Sequence, residues 1–148
     1  MTLSRRSTLA LGGAFFIGVG AFGAVKVFSR SAAAKVLDPK EVWDAAGRGE
    51  VLLLDIRRPD EWAATGVAQH AVPLDMRRDD FIEALRALRR SDTQPVAVIC
   101  ARGVRSARLT HQLEAAEIKP IIDIPEGMLG SRAGPGWIER GLPVSHVG

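Results

Sequence analysis

Two apolar runs without alternation constrain this chain more than any other feature. Residues 96–99 read Val-Ala-Val-Ile, and residues 51–56 read Val-Leu-Leu-Leu-Asp-Ile, broken only by Asp55. A strand with one wet face would alternate apolar and polar residues, so these runs fit strands covered on both faces, as in a parallel sheet. Helical periodicity separates the runs, which predicts an α/β fold with helices on both sides of the sheet. The run at residues 96–99 delivers the chain's single cysteine, Cys100, to the carboxyl end of its strand, followed by Ala-Arg-Gly-Val-Arg-Ser. Ligands of open parallel sheets bind at that edge, where loops and helix starts converge. A turn this tight aims backbone N–H groups at the sulfur, a setting that favours a thiolate and anions bound to it.

The remaining elements follow from local signals. Val36 and Leu37 suit a short first strand. Asp38-Pro39 supplies an N-cap and a first helical residue, with Glu41 in the first turn. Gly47 and Gly49 end that helix, and Val42 and Ala46 are its inward residues, with Trp43 beside them. Residues 79–90 form an amphipathic helix in which Phe81, Ala84, Leu85 and Leu88 share a face, acids lead and arginines trail as a solvated last turn. Residues 106–117 make a further helix with Leu109, Leu113 and Ala116 on its stripe. Residues 118–124 make the last strand, where Pro120 suits an early or edge position. A Gly-rich stretch, residues 129–136, is placed to reach over the pocket, with Arg132 as its cation. His70, His111 and His146 read as ordinary loop, helix and tail histidines.

Charge divides by position. Residues 1–34 hold Arg5, Arg6, Lys26 and Arg30 and no acid, which leaves 16 of the 20 basic residues against all 17 acidic ones in 35–148, a net of −1. The balance of the domain gives no nucleic-acid footprint. The leader pairs Arg5-Arg6 with an uncharged apolar run, residues 9–25, and with Ala32-Ala33-Ala34 as a small-residue cleavage site. Two readings stand: a cleaved export signal, or a retained membrane anchor, since the run nears the lower limit of a span. Either places residues 35–148 outside the cytoplasm as one domain. One cysteine excludes an intramolecular disulfide, and no Cys and His cluster has metal-ligand spacing.

The pattern C-x-x-G-x-R-S, residues 100–106, resembles the active-site loop of rhodanese-like sulfurtransferases. Three other stretches agree. Leu54, Asp55, Arg57, Glu61 and Trp62 match the family's L-D-x-R-x-x-x-E-[FYW] signature; Gly66, Ala71 and Leu74 fit a second motif, in which Val67 and His70 replace a usual histidine and glycine. Gly127, Met128, Trp137, Gly141, Leu142, Pro143 and Val144 resemble its ending, with Glu126 at a common glycine position. Ser4 to Leu9 resembles a twin-arginine signal, with Thr8 where a Phe is usual, which implies export to a bacterial periplasm.

The resemblance implies a three-layer fold with a central, mostly parallel sheet of about five strands. It also implies a mechanism. An unperturbed thiol titrates at about 8.5 and is mostly protonated at neutral pH. Loop amides and Arg105 favour the thiolate, which takes the outer sulfur of a donor such as thiosulfate as a persulfide. Cyanide or an acceptor thiol then removes that sulfur, with no metal or organic cofactor required and the protein acceptor, if any, unspecified. Cys100 is the implied catalytic residue, and Ala101, Arg102, Gly103, Val104, Arg105 and Ser106 the loop that binds substrate and persulfide. Asp55 and Arg57 brace the neighbouring loops, since a buried carboxylate needs partners. In the family, basic residues early in this loop go with thiosulfate and small neutral ones with mercaptopyruvate; basic Arg102 favours thiosulfate-like anions, although Ala101 directly after the cysteine is neutral. Two alternatives compete: a non-catalytic module that carries sulfur or docks a partner, and a small-loop phosphatase or arsenate reductase. The phosphatases use C-x5-R, whereas Cys100 to Arg105 is C-x4-R, a smaller cradle.

Overall fold

The structure is a computed structural model that describes residues 34–146. The leader reading therefore falls outside the described residues, save for Ala34. Among the described residues, no helix is long and apolar enough to cross a membrane.

The elements run β1 (Lys35–Val36), α1 (Pro39–Gly47), β2 (Leu52–Asp55), α2 (Pro59–Thr65), β3 (Val67–Ala68), β4 (Ala71–Pro73), α3 (Phe81–Leu88), β5 (Val96–Ile99), α4 (Val104–Ala115), β6 (Ile121–Asp123), α5 (Gly136–Glu139) and β7 (Val144–Ser145). Five strands form one sheet in the order β1-β6-β5-β2-β4, every neighbouring pair parallel. The α/β expectation holds, and β5 lies at the centre. Strands β3 and β7 make a separate antiparallel pair.

The absence of alternation has a direct structural cause. Leu54, Val96, Val98 and Ile121 face a cluster with Phe81, Leu85, Leu109 and Leu113 of α3 and α4. Leu53, Ala97, Ile99 and Ile122 face the opposite cluster, with Val42, Met128 and Trp137. Successive residues of each strand thus enter different cores, so both sets must be apolar.

Local chemistry starts α1 as expected: the Asp38 carboxylate accepts from Glu41 N at 3.0 Å, and the Glu41 carboxylate accepts from Asp38 N in turn. Val42 is buried as expected, Ala45 is buried beside it, and Ala46 and Trp43 pack half-buried against the same cluster. Helix α4 begins at Val104, two residues before Ser106, so the cysteine turn is shorter than predicted. Strand β6 begins after Pro120 and sits between β1 and β5, not at an edge. Proline is tolerated there because its carbonyl is what pairs, accepting from Val96 N at 2.9 Å.

The arginines ending α3 are also not uniformly solvated. Arg89 turns back and donates to the carbonyls of Asp92, Gln94 and Lys119 at 2.6, 2.8 and 2.8 Å, tying the two turns that lead into β5 and β6. Burial pushes its guanidinium below the ordinary value. Hydrogen bonds from a charged donor contribute about 1.5–3 kcal/mol each and are not additive, so Arg89→Ala is expected to destabilise the fold by about 2 kcal/mol. Arg90→Ala is expected to stay within about 0.5 kcal/mol. Urea midpoints of the two variants check the difference.

Candidate active site

Parallel pairing brings the carboxyl ends of the central strands to one edge. Asp55 is in register with Ile99, and Asp123 with Val98, so the ends of β2 and β6 flank Cys100, the first residue beyond β5. The chain must then reverse and start α4 within a few residues. Gly103 makes this possible at φ +83°, a left-handed conformation at the helix N-cap. A side chain there would also collide with the Pro125 carbonyl.

The turn wraps the sulfur. Gly103 N donates to Cys100 Sγ at 3.2 Å and Ser106 N at 3.4 Å, while the thiol donates to Ser106 Oγ at 3.6 Å. Ser106 Oγ in turn donates to Gly103 O at 3.0 Å, which closes the turn on itself. From outside, Met128 N and Leu129 N donate to the carbonyls of Cys100 and Ala101 at 2.8 and 2.9 Å, and Arg102 reaches Gly130 O. The Gly-rich stretch after β6 is therefore a backbone clamp on the cysteine loop. Arg132 on it is exposed.

The predicted residues separate by role. Cys100 is only 1% exposed and packs with Ile56, Leu74 and Leu109, deeper than a solvent-facing nucleophile would be. The side chain of Val104 is turned to solvent, 78% exposed, so it can contribute to the loop only through its backbone. Ala101 is half-buried, and Gly103 and Ser106 are buried. Arg105 corrects the expectation of a free cation beside the sulfur. It forms a bidentate pair with Glu61, Nη1 to Oε2 at 2.7 Å and Nη2 to Oε1 at 2.6 Å. Its charge still acts on Cys100, but a carboxylate partly offsets it.

Asp55 and Arg57 form a buried pair, with Nε to Oδ1 at 2.9 Å and Nη2 to Oδ2 at 2.8 Å. Arg57 also donates to Thr65 Oγ1 at 2.8 Å and to the Gly66 carbonyl at 2.6 Å. Every direction of the guanidinium is used within the fold, which ties the end of β2 to the Glu61 carbonyl and the C-terminal end of α2 and so fixes Glu61 opposite Arg105.

Sequence reasoning missed three acids. Glu61 was visible only as a signature letter, because its partner lies 44 residues away. Asp123 is buried and its Oδ1 has no hydrogen-bond partner; desolvation holds its carboxyl above the ordinary carboxylate value, with the Ser106 hydroxyl beside it. Its signal was the lone acid in Ile-Ile-Asp-Ile. Glu126 fills the position of a common glycine by accepting from Arg140 and from Gly136 N, which lowers its carboxyl. Among the described residues, no three His, Cys, Asp or Glu side chains cluster to hold a metal ion.

Arg105 holds the Glu61 carboxyl at about 2, well below its ordinary 4.5. Such a group adds stability above 4.5 that is lost as pH falls through about 2. The free-energy gap between the native protein and Glu61→Gln is therefore expected to shrink by about 1–2 kcal/mol across that window, allowing for the solvent that reaches Arg105. Denaturant unfolding at a series of pH values measures it.

Residues 38–132 match the family model of the Rhodanese-like domain. Among solved structures, Rv0390 from M. tuberculosis is 25% identical with a TM-score of 0.61, over 78% of this chain and 99% of that one. The polysulfide-sulfur transferase homodimer from Wolinella succinogenes is 25% identical, TM-score 0.60, over 77% and 80%. The thiosulfate sulfurtransferase from Pseudomonas aeruginosa is 25% identical, TM-score 0.62, over 76% of this chain and 20% of that one. No curated protein matches. A match across most of the chain, with a five-stranded parallel sheet and a cysteine loop at its carboxyl edge, makes this chain a member of the rhodanese-like domain family.

Proposed function

We propose that this protein is a sulfurtransferase that moves a sulfane sulfur from a thiosulfate-like anion to cyanide or a thiol through a persulfide on Cys100. One observation carries the reading: two backbone N–H groups, from Gly103 and Ser106, converge on the only sulfur of Cys100. Donors fixed in place stabilise negative charge without reorganising as the reaction proceeds. The sulfurtransferases among its structural relatives support the same chemistry.

In the first half-reaction the Cys100 thiolate attacks the outer sulfur of thiosulfate. A bond forms between the two sulfurs, the bond to the sulfonate breaks, and sulfite leaves with the electron pair. In the second, the acceptor attacks the outer sulfur of the persulfide and Cys100 departs as thiolate. The intermediate puts an anionic sulfur one bond beyond Sγ, where the remaining loop amides serve it.

A second reading, sulfur carriage or partner docking without turnover, draws support from the burial of Cys100. Turnover of thiosulfate and cyanide by the purified domain decides between them. The enzyme reading expects turnover, a gain of one sulfur atom on Cys100 by mass spectrometry, and a loss of about 10³-fold or more in Cys100→Ser. A persulfide without turnover favours carriage, and equal turnover in both proteins contradicts catalysis by Cys100.

The reading extends to place. Residues 1–34 either act as a twin-arginine-type signal that exports the domain to a periplasm or hold it at the membrane facing that compartment. The mature N-terminus is expected after the Ala32-Ala33-Ala34 segment if the leader is cleaved; a chain beginning at Met1 or Thr2 argues for retention.

A further inference from the structure

Beside the cysteine loop lies a cleft of about 470 Å³ lined by Arg58, Asp75, Met76, Arg77, Arg105 and Arg108. Its size falls within the range of small-molecule sites, and thiosulfate would occupy only a small part of it. Arg105 is a residue of the cysteine loop and also lines this cleft, so the cleft borders the loop. The Asp75 carboxylate bonded to Arg77 raises its guanidinium overall, and Arg105 stands near enough to oppose that as a like charge.

The charges here are incompletely neutralised. Arg105 is paired with Glu61, Arg77 with Asp75, and Arg58 with Glu61 and Asp60. The side chain of Arg108, one helical turn beyond Arg105 on the same face of α4, has no hydrogen bond or ion pair among the described residues. Four cations thus meet three carboxylates, and Arg77 uses only Nε and Nη2 on Asp75, which leaves Nη1 for a ligand. Forked donors of this kind suit carboxylates. Met76 gives the same wall an apolar strip, suited to a short carbon stem.

We infer that this arginine cleft binds the acceptor of the second half-reaction, a small thiol bearing two carboxylates, and directs its sulfur inward to the Cys100 persulfide. The inference rests on the sulfurtransferase reading. Burial of Cys100 accounts for the division of labour: the anionic body stays among the arginines while a thin thiol tip reaches the loop. The acceptor thiolate attacks the outer sulfur, its new S–S bond forms as the bond to Sγ breaks, and the product leaves as the acceptor's persulfide with Cys100 as thiolate. Charge and atoms balance without an oxidant.

The test uses thiosulfate as donor and compares mercaptosuccinate with 2-mercaptoethanol as acceptors, each corrected for its thiolate fraction. One charge-assisted contact is worth about tenfold, so kcat/KM is expected to favour mercaptosuccinate by about that factor or more in the native protein. The preference falls to about unity in Arg108→Glu and returns in Arg108→Lys. Calorimetric titration of succinate into Cys100→Ser reads the cleft without chemistry: binding is expected, weakened at high salt and lost when Arg108→Glu is added. No preference for the dicarboxylate, or a preference that survives Arg108→Glu, overturns the inference. Failure of thiosulfate to load Cys100 overturns the sulfurtransferase reading instead, and the calorimetric arm still decides the cleft.

Discussion

Two hydrogen bonds to one sulfur, from Gly103 N and Ser106 N, require much of the architecture around them. The amides converge only if the chain reverses tightly after β5, and it reverses tightly only because residue 103 has no side chain. A Cβ at that position would strike the Pro125 carbonyl, and one at Gly127 would meet the Ala101 carbonyl at 2.5 Å. Two backbones are thus packed against each other where each must be bare. The bonds from Met128 and Leu129 to the carbonyls of Cys100 and Ala101 hold them there. The loop is rigid because a second loop clamps it, and the second loop is placed by β6, the neighbour of β5 in the sheet.

Electrostatics around this cradle is arranged in pairs. Asp55 with Arg57 is buried, and Glu61 with Arg105 partly so, and the first pair positions the second through Thr65, Gly66 and the Glu61 carbonyl. A buried ion pair adds little net stability compared with apolar packing, yet losing one partner is costly. Its value here is orientation: through Glu61 it fixes Arg105 at the edge of the sulfur site. Asp123 is the exception, a buried carboxyl with an unpartnered oxygen beside Ser106.

The layered fold and the cysteine loop were legible because each rests on local information. Unbroken apolar runs report burial on two faces, and a Cys-Gly-Arg-Ser spacing reports a turn into a helix. Pairings over long separation were not legible. Arg105 reads from sequence as a cation near the sulfur, whereas Glu61, contributed by α2, meets it in space. Arg89 reads as a solvated helix end, although three carbonyls from two distant turns capture it. Val104 stands in the motif by position only, and its side chain points away. Depth was also hidden: nothing in the letters around Cys100 indicates that its thiol closes one of the two cores.

The central claim is that the amides of Gly103 and Ser106 hold anionic sulfur. Amide NMR of the domain before and after thiosulfate, with Cys100→Ser as control, tests it most directly. Stabilisation by the cradle predicts that the Gly103 and Ser106 N–H resonances move downfield when the persulfide forms, and do not move in the variant. Loading of Cys100 with both resonances unmoved would contradict it.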